Sequence, residues 1–309
     1  MTDLYPSRCS EATGVLPRVD PVAWQPWRHD CPLSREQYEA WCRDGFLVLE
    51  GLFDEFEVRV LQRELERLRA SPELVGRPEC IAERGSRALR SLFAPHRHSR
   101  LYAQLMRDER LLGIAEFLLA SPVYVHQARV NFKPGLGGDG FYWHSDFETW
   151  HTEDGLPRMR TLSVSVSLTE NTPLNGPLML IPGSHLEYVQ CAGSTPEEHY
   201  RRSLQRQEAG LPDAEHIARM AAHGICTATG RPGTVTLFDC NTLHGSAGNL
   251  SPWPRSNVFF VYNSIENRPA APFAAEAPRP WYIGEREDFA PLQAMRPDYR
   301  RFAEEAEVV

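Results

Sequence analysis

The residues Phe141-Tyr142-Trp143-His144-Ser145-Asp146 set an imidazole and a carboxylate two positions apart, and a second imidazole follows far downstream in Leu243-His244-Gly245-Ser246. In extended backbone, residues two apart share a face. His144 and Asp146 can therefore reach one metal from a strand or its end, with His244 arriving from a distant strand. Two imidazoles and one carboxylate suit iron(II) and leave coordination positions open for a bidentate co-substrate and dioxygen. A short H-x-D motif also arises by chance, so the residues around it decide its weight. His185, in Pro182-Gly183-Ser184-His185, is an alternative third ligand whose turn-like setting favours a structural role. A hydrolytic zinc site with a bound water is the alternative chemistry for the same donors.

Arg255 stands on the approach to an apolar run from Asn257 to Asn263, and Lys133 closes the run before the H-x-D segment. A lone Arg or Lys is usually a solvated surface charge. Beside a metal motif, a forked guanidinium has a specific use: it can pair with one carboxylate of a dicarboxylic co-substrate whose other end chelates the metal. A zinc hydrolase would not need that clamp. The remaining histidines, including His126, His151 and the His96/His98 pair, lack a carboxylate or cysteine partner at ligand spacing and read as structural or surface residues.

The elements that must position these groups fall in two halves. Residues 1–30 are rich in Pro, Trp and Arg without a period, which predicts an extended arm laid on the body. Ser34 with Gln37 and Asp54 with Glu57 form capping boxes, Gly45 supplies a left-handed stop, and Phe46 to Leu49 reads as a strand. Val58, Leu61, Leu65 and Leu68 recur at helical spacing, and a further helix is expected over Leu101 to Leu119. After Pro122 strands dominate: Val123 to Phe132, Thr161 to Leu168, Gly176 to Ile181, Thr234 to Phe238 and Asn257 to Asn263. Leu162, Val164, Val166 and Leu168 alternate with Thr161, Ser163, Ser165 and Ser167, so one face packs a core and the other offers hydroxyls to a cavity or to water. A polar, helical insertion is expected from Glu197 to Arg219. Helices first and strands later give an α+β chain, read as a single domain over 1–309: arm 1–30, mainly helical part 31–121, β-rich core 122–281, tail 282–309.

Composition narrows the function. The 309 residues carry 42% hydrophobic and 24% charged side chains, enough to fold, and a net charge of -8 that disfavours nucleic acid as a partner. No apolar run reaches the length of a membrane span, and the opening residues do not read as a signal peptide. Seven cysteines without a C-x-x-C pair read as reduced thiols, and the expected location is cytoplasmic. A homodimer and a monomer are both open.

The run from Phe141 to His151, Phe-Tyr-Trp-His-Ser-Asp-Phe-Glu-Thr-Trp-His, resembles the ectoine hydroxylases of the phytanoyl-CoA dioxygenase superfamily. The resemblance continues through Glu153 to Arg160, Asn171 to Met179, Pro182 to His185 and, upstream, Gln127 to Gly135, and covers roughly Pro32 to Trp281. It implies a double-stranded β-helix, a jelly-roll or cupin-like core, with helices packed around it. It also implies iron on His144, Asp146 and His244, and 2-oxoglutarate contacts from Lys133, Ser246 and Arg255, with Asn131 as an addition. The substrate contacts it implies are Gln127, Thr149, Trp150, Phe238, Phe259 and Arg279. Ectoine, a compatible solute made under osmotic stress, is a small cyclic amidinium with a carboxylate: aromatic faces can hold the ring while Arg279 meets the carboxylate. The implied reaction consumes dioxygen and 2-oxoglutarate and yields 5-hydroxyectoine, succinate and carbon dioxide. Asp146 favours hydroxylation over halogenation, since related halogenases lack that carboxylate. Leu156 and Leu174 depart from the family pattern without touching its chemistry. The rival readings are a dioxygenase of the same superfamily acting on another metabolite or an acyl-CoA, and a non-catalytic jelly-roll protein that binds metal or solute.

Overall fold

Both capping boxes form, and they set the first two helices. Ser34 accepts from the Gln37 backbone at the start of α1 (Arg35–Asp44), and Asp54 does the same from Glu57 at the start of α2 (Glu55–Ala70). Between them lies a strand, Phe46–Leu49, which is the second of the chain because β1 (Gly14–Pro17) precedes it; it is β2. The computed structural model describes residues 2–83 and 88–307, so residues 1, 308 and 309 of the expected arm and tail lie outside it. The order continues through β3 (Cys80–Ala82), β4 (Leu89–Phe93), α3 (Arg100–Leu105), α4 (Glu109–Leu119), β5 (Val123–Lys133) and β6 (Phe141–His144). Then come α5 (Asp146–Thr149), β7 (Thr161–Ser167), β8 (Leu178–Leu180), β9 (Glu187–Gln190), α6 (Tyr200–Ser203) and α7 (Ala214–Met220). The last elements are β10 (Cys226–Ala228), β11 (Val235–Asp239), β12 (His244–Ser246), β13 (Arg255–Ser264) and α8 (Tyr299–Glu307).

A seven-stranded sheet in the order β2-β11-β7-β13-β5-β4-β3 faces a four-stranded sheet in the order β10-β8-β12-β6. Every named pairing is antiparallel, as expected of a jelly roll. The large sheet divides its residues by parity. Ala128, Val130 and Phe132 of β5, Val164 and Val166 of β7, and Val258, Phe260 and Tyr262 of β13 share one buried cluster with Val58, Leu61, Leu65 and Leu68 of α2 and Leu111 and Leu112 of α4. Each such aliphatic side chain contributes about 1.5–3 kcal/mol by leaving water. The opposite face is buried and polar: Gln127, Lys133, Ser163, Ser165, Ser167, Arg255 and Asn257 all point into the sandwich. The hydroxyls of β7 therefore line the interior, where Asn257 donates to Ser165 and Ser167 at 3.1 and 3.3 Å.

Three expectations need correction. The helix expected over Leu101 to Leu119 is two helices, because Asp108 starts a new one by accepting from the Arg110 backbone at 3.0 Å while its carboxylate pairs with the Arg110 guanidinium. The insertion is helical only at α6 and α7; Gly210, at φ +71°, and Pro212 break the stretch between them. The arm is more than laid on: β1 pairs with β9, from Gly14 opposite Gln190 to Pro17 opposite Glu187. β1, β9 and β10 are short strands whose pairing partners lie far away in sequence, and β3 and β4, three and five residues long, pair with each other, so no local alternation announces them.

Gly45 links this frame to the site. It caps α1 at φ +81°, and a Cβ there would sit 2.4 Å from His185 Nδ1 and 2.7 Å from Thr242 Oγ1. The Thr242 hydroxyl donates to the Gly45 carbonyl at 2.9 Å, two residues before His244. Gly45→Ala is expected to destabilise the protein by about 2 kcal/mol or more, read as a lower denaturation midpoint, since both the backbone and the space oppose a side chain.

Candidate metal centre and cleft

Strand pairing brings the three expected ligands together. β12 runs beside β6 with His244 opposite His144, and the two imidazole centroids are 4.3 Å apart. Each ring is locked by its own strand: His144 Nδ1 donates to the Tyr142 carbonyl at 2.7 Å and His244 Nδ1 to the Thr242 carbonyl at 2.9 Å. A carbonyl can only accept, so both rings keep Nε2 bare. Asp146 enters from the first turn of α5, which Ser145 caps, with Oδ1 3.6 Å from His144 Nε2 and Oδ2 3.8 Å from His244 Nε2. Those separations are too long for hydrogen bonds. All three ligand atoms lie within 4.8 Å of one another, and no fourth His, Cys, Asp or Glu joins them among the described residues.

The electrostatics fit a divalent ion. Burial raises the Asp146 carboxyl, but the adjacent His244 and His144 imidazoles and the Arg129 charge outweigh it and hold the group far below the usual carboxylate range. Burial and the neighbouring His144 push His244 down to about 4 against the pull of Asp146, so its imidazole is neutral and ready to ligate. Ser163 donates to Asp146 Oδ2 at 3.3 Å and orients the carboxylate. Bare nitrogens, an ionised carboxylate and oriented second partners suit iron(II). His185 is not part of the centre: it packs against Gly45, with Nε2 3.3 Å from the Cys42 carbonyl.

Lys133 and Arg255 are opposite each other in the β5–β13 ladder, both buried. Lys133 Nζ donates to Ser246 Oγ at 2.7 Å and to the Ala247 carbonyl at 2.5 Å, which ties it to the strand that carries His244. Gly176, at φ +66°, leaves room for this ammonium; a Cβ there would lie 3.1 Å from Nζ. Burial, Arg255 and Arg90 together push Lys133 down to about 6. Arg255 Nε has no hydrogen-bond partner among the described residues, and burial alone pulls its guanidinium down to about 10, with no carboxylate opposing the shift. A buried guanidinium with an orphaned donor, beside a buried amino group that a nearby anion would help to protonate, forms a cradle suited to a carboxylate. Asn131 lies two register pairs further along the same ladder, opposite Asn257, and accepts from Ser91 at 2.9 Å.

An open cleft runs over the metal ligands, bordered by Gln127, Asn131, His144, Asp146, Thr149, Trp150 and Arg279. Gln127 donates to the Ile283 carbonyl at 2.7 Å. Arg279 gives Nε and Nη2 to Asp154 at 2.8 and 2.5 Å. Phe238 and Phe259 do not border the open cleft. They share a buried cluster with Leu180, Phe238 lying 4.9 Å from the His244 ring and Phe259 beneath the Arg129 guanidinium at 5.0 Å.

Sequence reasoning passed over Arg129, which borders the cleft, packs on Phe259 and bonds Gln127. Alternation could have found it, since Gln127, Arg129, Asn131 and Lys133 form one polar face of a strand whose other face is Ala128, Val130 and Phe132. His126 and His151, read as lacking acidic partners, have them across the fold: His126 Nε2 lies 3.0 Å from Asp154 and His151 Nε2 2.9 Å from Asp3. Local spacing cannot show such pairs, and both histidines stay outside the metal cluster.

A family model described as phytanoyl-CoA dioxygenase (PhyH) matches residues 41–257. The ectoine dioxygenase of Sphingopyxis alaskensis is 51% identical over 297 residues, covering 96% of this chain and 97% of that one. The crystal structure of EctD from S. alaskensis with 2-oxoglutarate and 5-hydroxyectoine superposes with a TM-score of 0.88 at 47% identity, over 96% of this chain and 100% of that one. EctD from the same organism with bound Fe gives a TM-score of 0.87 at 46% identity, over the same shares of the two chains. The family model and these full-length similarities agree with the jelly-roll core and the two-His, one-carboxylate centre: the chain belongs to the phytanoyl-CoA dioxygenase family.

Proposed function

We propose that this protein is an iron(II)- and 2-oxoglutarate-dependent dioxygenase that hydroxylates ectoine to 5-hydroxyectoine, releasing succinate and carbon dioxide. The observation that carries the reading is the convergence of His144, Asp146 and His244 beside the buried, partly unpaired Lys133/Arg255 cradle. Similarity across nearly the whole chain to a protein named ectoine dioxygenase supports the choice of substrate. When bound, iron supplies dioxygen activation coupled to oxidative decarboxylation of the co-substrate.

The protein's own part is placement. His144, Asp146 and His244 hold the ion on one face and leave the other free. Arg255, Lys133 and Ser246 receive the far carboxylate of 2-oxoglutarate, with Asn131 beside them. Gln127, Thr149 and Trp150 form the cleft wall against the organic substrate, and Arg279, braced by Asp154, meets its carboxylate. Phe238 and Phe259 support the site from behind, an apolar backing that excludes water and steadies His244. Residues 1–309 work as one domain in this reading, because the arm and the insertion both pack against the cleft wall. We place the enzyme in the cytoplasm. Seven unpaired cysteines support that setting, and no helix among the described residues is long and apolar enough to cross a membrane.

Aerobic incubation with iron(II), 2-oxoglutarate and ectoine is expected to give a product one oxygen atom heavier, matched one to one by succinate in mass spectrometry. Ectoine binding without turnover would favour the non-catalytic alternative. Turnover of another metabolite or an acyl-CoA in place of ectoine would move the substrate within the family.

A further inference from the structure

The N-terminal arm reaches the wall of the cleft chiefly through Arg8. Arg8 is fully buried, and its backbone N–H donates to the Cys191 carbonyl at 2.8 Å beside the β1–β9 pair. Its guanidinium grips Glu148 with a fork, Nε to Oε1 at 2.9 Å and Nη2 to Oε2 at 2.6 Å, while Nη1 donates to Glu153 Oε1 at 2.6 Å. Ser7 adds a bond to Glu148 at 2.7 Å. From the other side the insertion closes in, with Gly210 so near that a Cβ would meet Arg8 Nη2 and Glu148 Oε2, each at 2.4 Å.

The gripped residues occupy a significant place in the chain. Glu148 falls between Asp146 and the cleft residues Thr149 and Trp150, and Glu153 borders the cleft itself. α5 spans only Asp146–Thr149 and runs on into a π-helical turn, Trp150–Asp154. A helical turn this short cannot hold its own shape, so its geometry must come from outside. A bidentate arginine on a buried carboxylate is the strongest and most directional of the available devices, and here one guanidinium spans both ends of the segment.

We propose that Arg8 is a positioning residue for the organic substrate, fixing Thr149 and Trp150 through its bonds to Glu148 and Glu153. This rests on the reading of the cleft as the ectoine site. An arm that looks like packing thus becomes part of the specificity apparatus, although Arg8 itself lines no cleft.

The test compares the full-length parent, Arg8→Ala and Arg8→Lys. With iron and saturating 2-oxoglutarate, Arg8→Ala is expected to raise the KM for ectoine about tenfold or more and to make succinate exceed hydroxylated product, while the KM for 2-oxoglutarate stays within about twofold. Arg8→Lys should fall between, because a single ammonium cannot hold both carboxylates in a fork. Hydrogen exchange on the metal-free proteins should quicken over residues 146–155 and stay at the parent level in β5, β7 and β13. Parent-like ectoine KM, one-to-one succinate and unchanged exchange over 146–155 would overturn the proposal, as would exchange that rises evenly across all strands. If Arg8→Ala does not fold, Arg8→Lys and the pair Arg8→Gln with Glu148→Gln carry the same measurements under the same criteria. If the parent does not convert ectoine, the substrate reading fails, and the exchange profile still decides whether Arg8 orders the segment.

Discussion

Asp146→Asn is expected to lose iron on dialysis and to lower turnover on the order of a thousandfold or more, about 4 kcal/mol of transition-state stabilisation. The amide keeps the shape of the carboxylate but not its charge. In the parent, that charge is the only anionic donor in a cluster otherwise made of two imidazoles, and burial magnifies its pull on a divalent ion. The Nδ1 locks on His144 and His244 use backbone carbonyls and are untouched by the change, so both rings should remain aligned. Metal content and rate, measured together, check the expectation. A variant that retained iron and most of its activity would mean that Asp146 is not a ligand.

Arg255→Ala is expected to weaken 2-oxoglutarate binding on the order of a hundredfold, about 2.7 kcal/mol, while iron content stays near the parent level. The asymmetry follows from where the guanidinium sits. Arg255 faces Lys133 across the β5–β13 ladder, and its Nε has no partner among the described residues. Burying the Arg255 guanidinium with no acid opposing the burial costs stability in the ligand-free protein, and a bound dicarboxylate would offset that cost. Removing Arg255 should therefore leave the ligand-free protein at least as stable as the parent while abolishing the thermal stabilisation that added 2-oxoglutarate gives. Equal losses of iron and co-substrate binding would refute the clamp.

The residues that show how much was legible in advance are the ones with strong local chemistry. Ser34/Gln37 and Asp54/Glu57 announced two helix starts because a capping box is a four-residue event, and both form as expected. The alternation in β7 announced a core face because its period is two, and Leu162, Val164 and Val166 are wholly buried. The approach of His244 to His144 was expected from the ligand chemistry, while its cause, the pairing of β12 with β6, is long-range and has no local signature. The same limit hid the acidic partners of His126 and His151, and it hid the grip of Arg8 on Glu148 across the whole helical half of the chain. Asp108 was a different kind of miss. Its capping chemistry was present in the sequence, but the apolar residues on either side of it kept one helical rhythm.

One strand ties the folding problem to the reaction. β13 runs between β7 and β5 near the middle of the large sheet, sending Val258, Phe260 and Tyr262 to the helices and Arg255, Asn257 and Phe259 to the interior. Adding or deleting a single residue there would rotate every later side chain to the wrong side, presenting guanidinium and amide to the hydrocarbon layer and valine to the anion cradle. Along those ten positions, length is therefore more constrained than identity. Lineages of this enzyme should tolerate substitutions in β13 while confining gains and losses of sequence to the turns on either side of it.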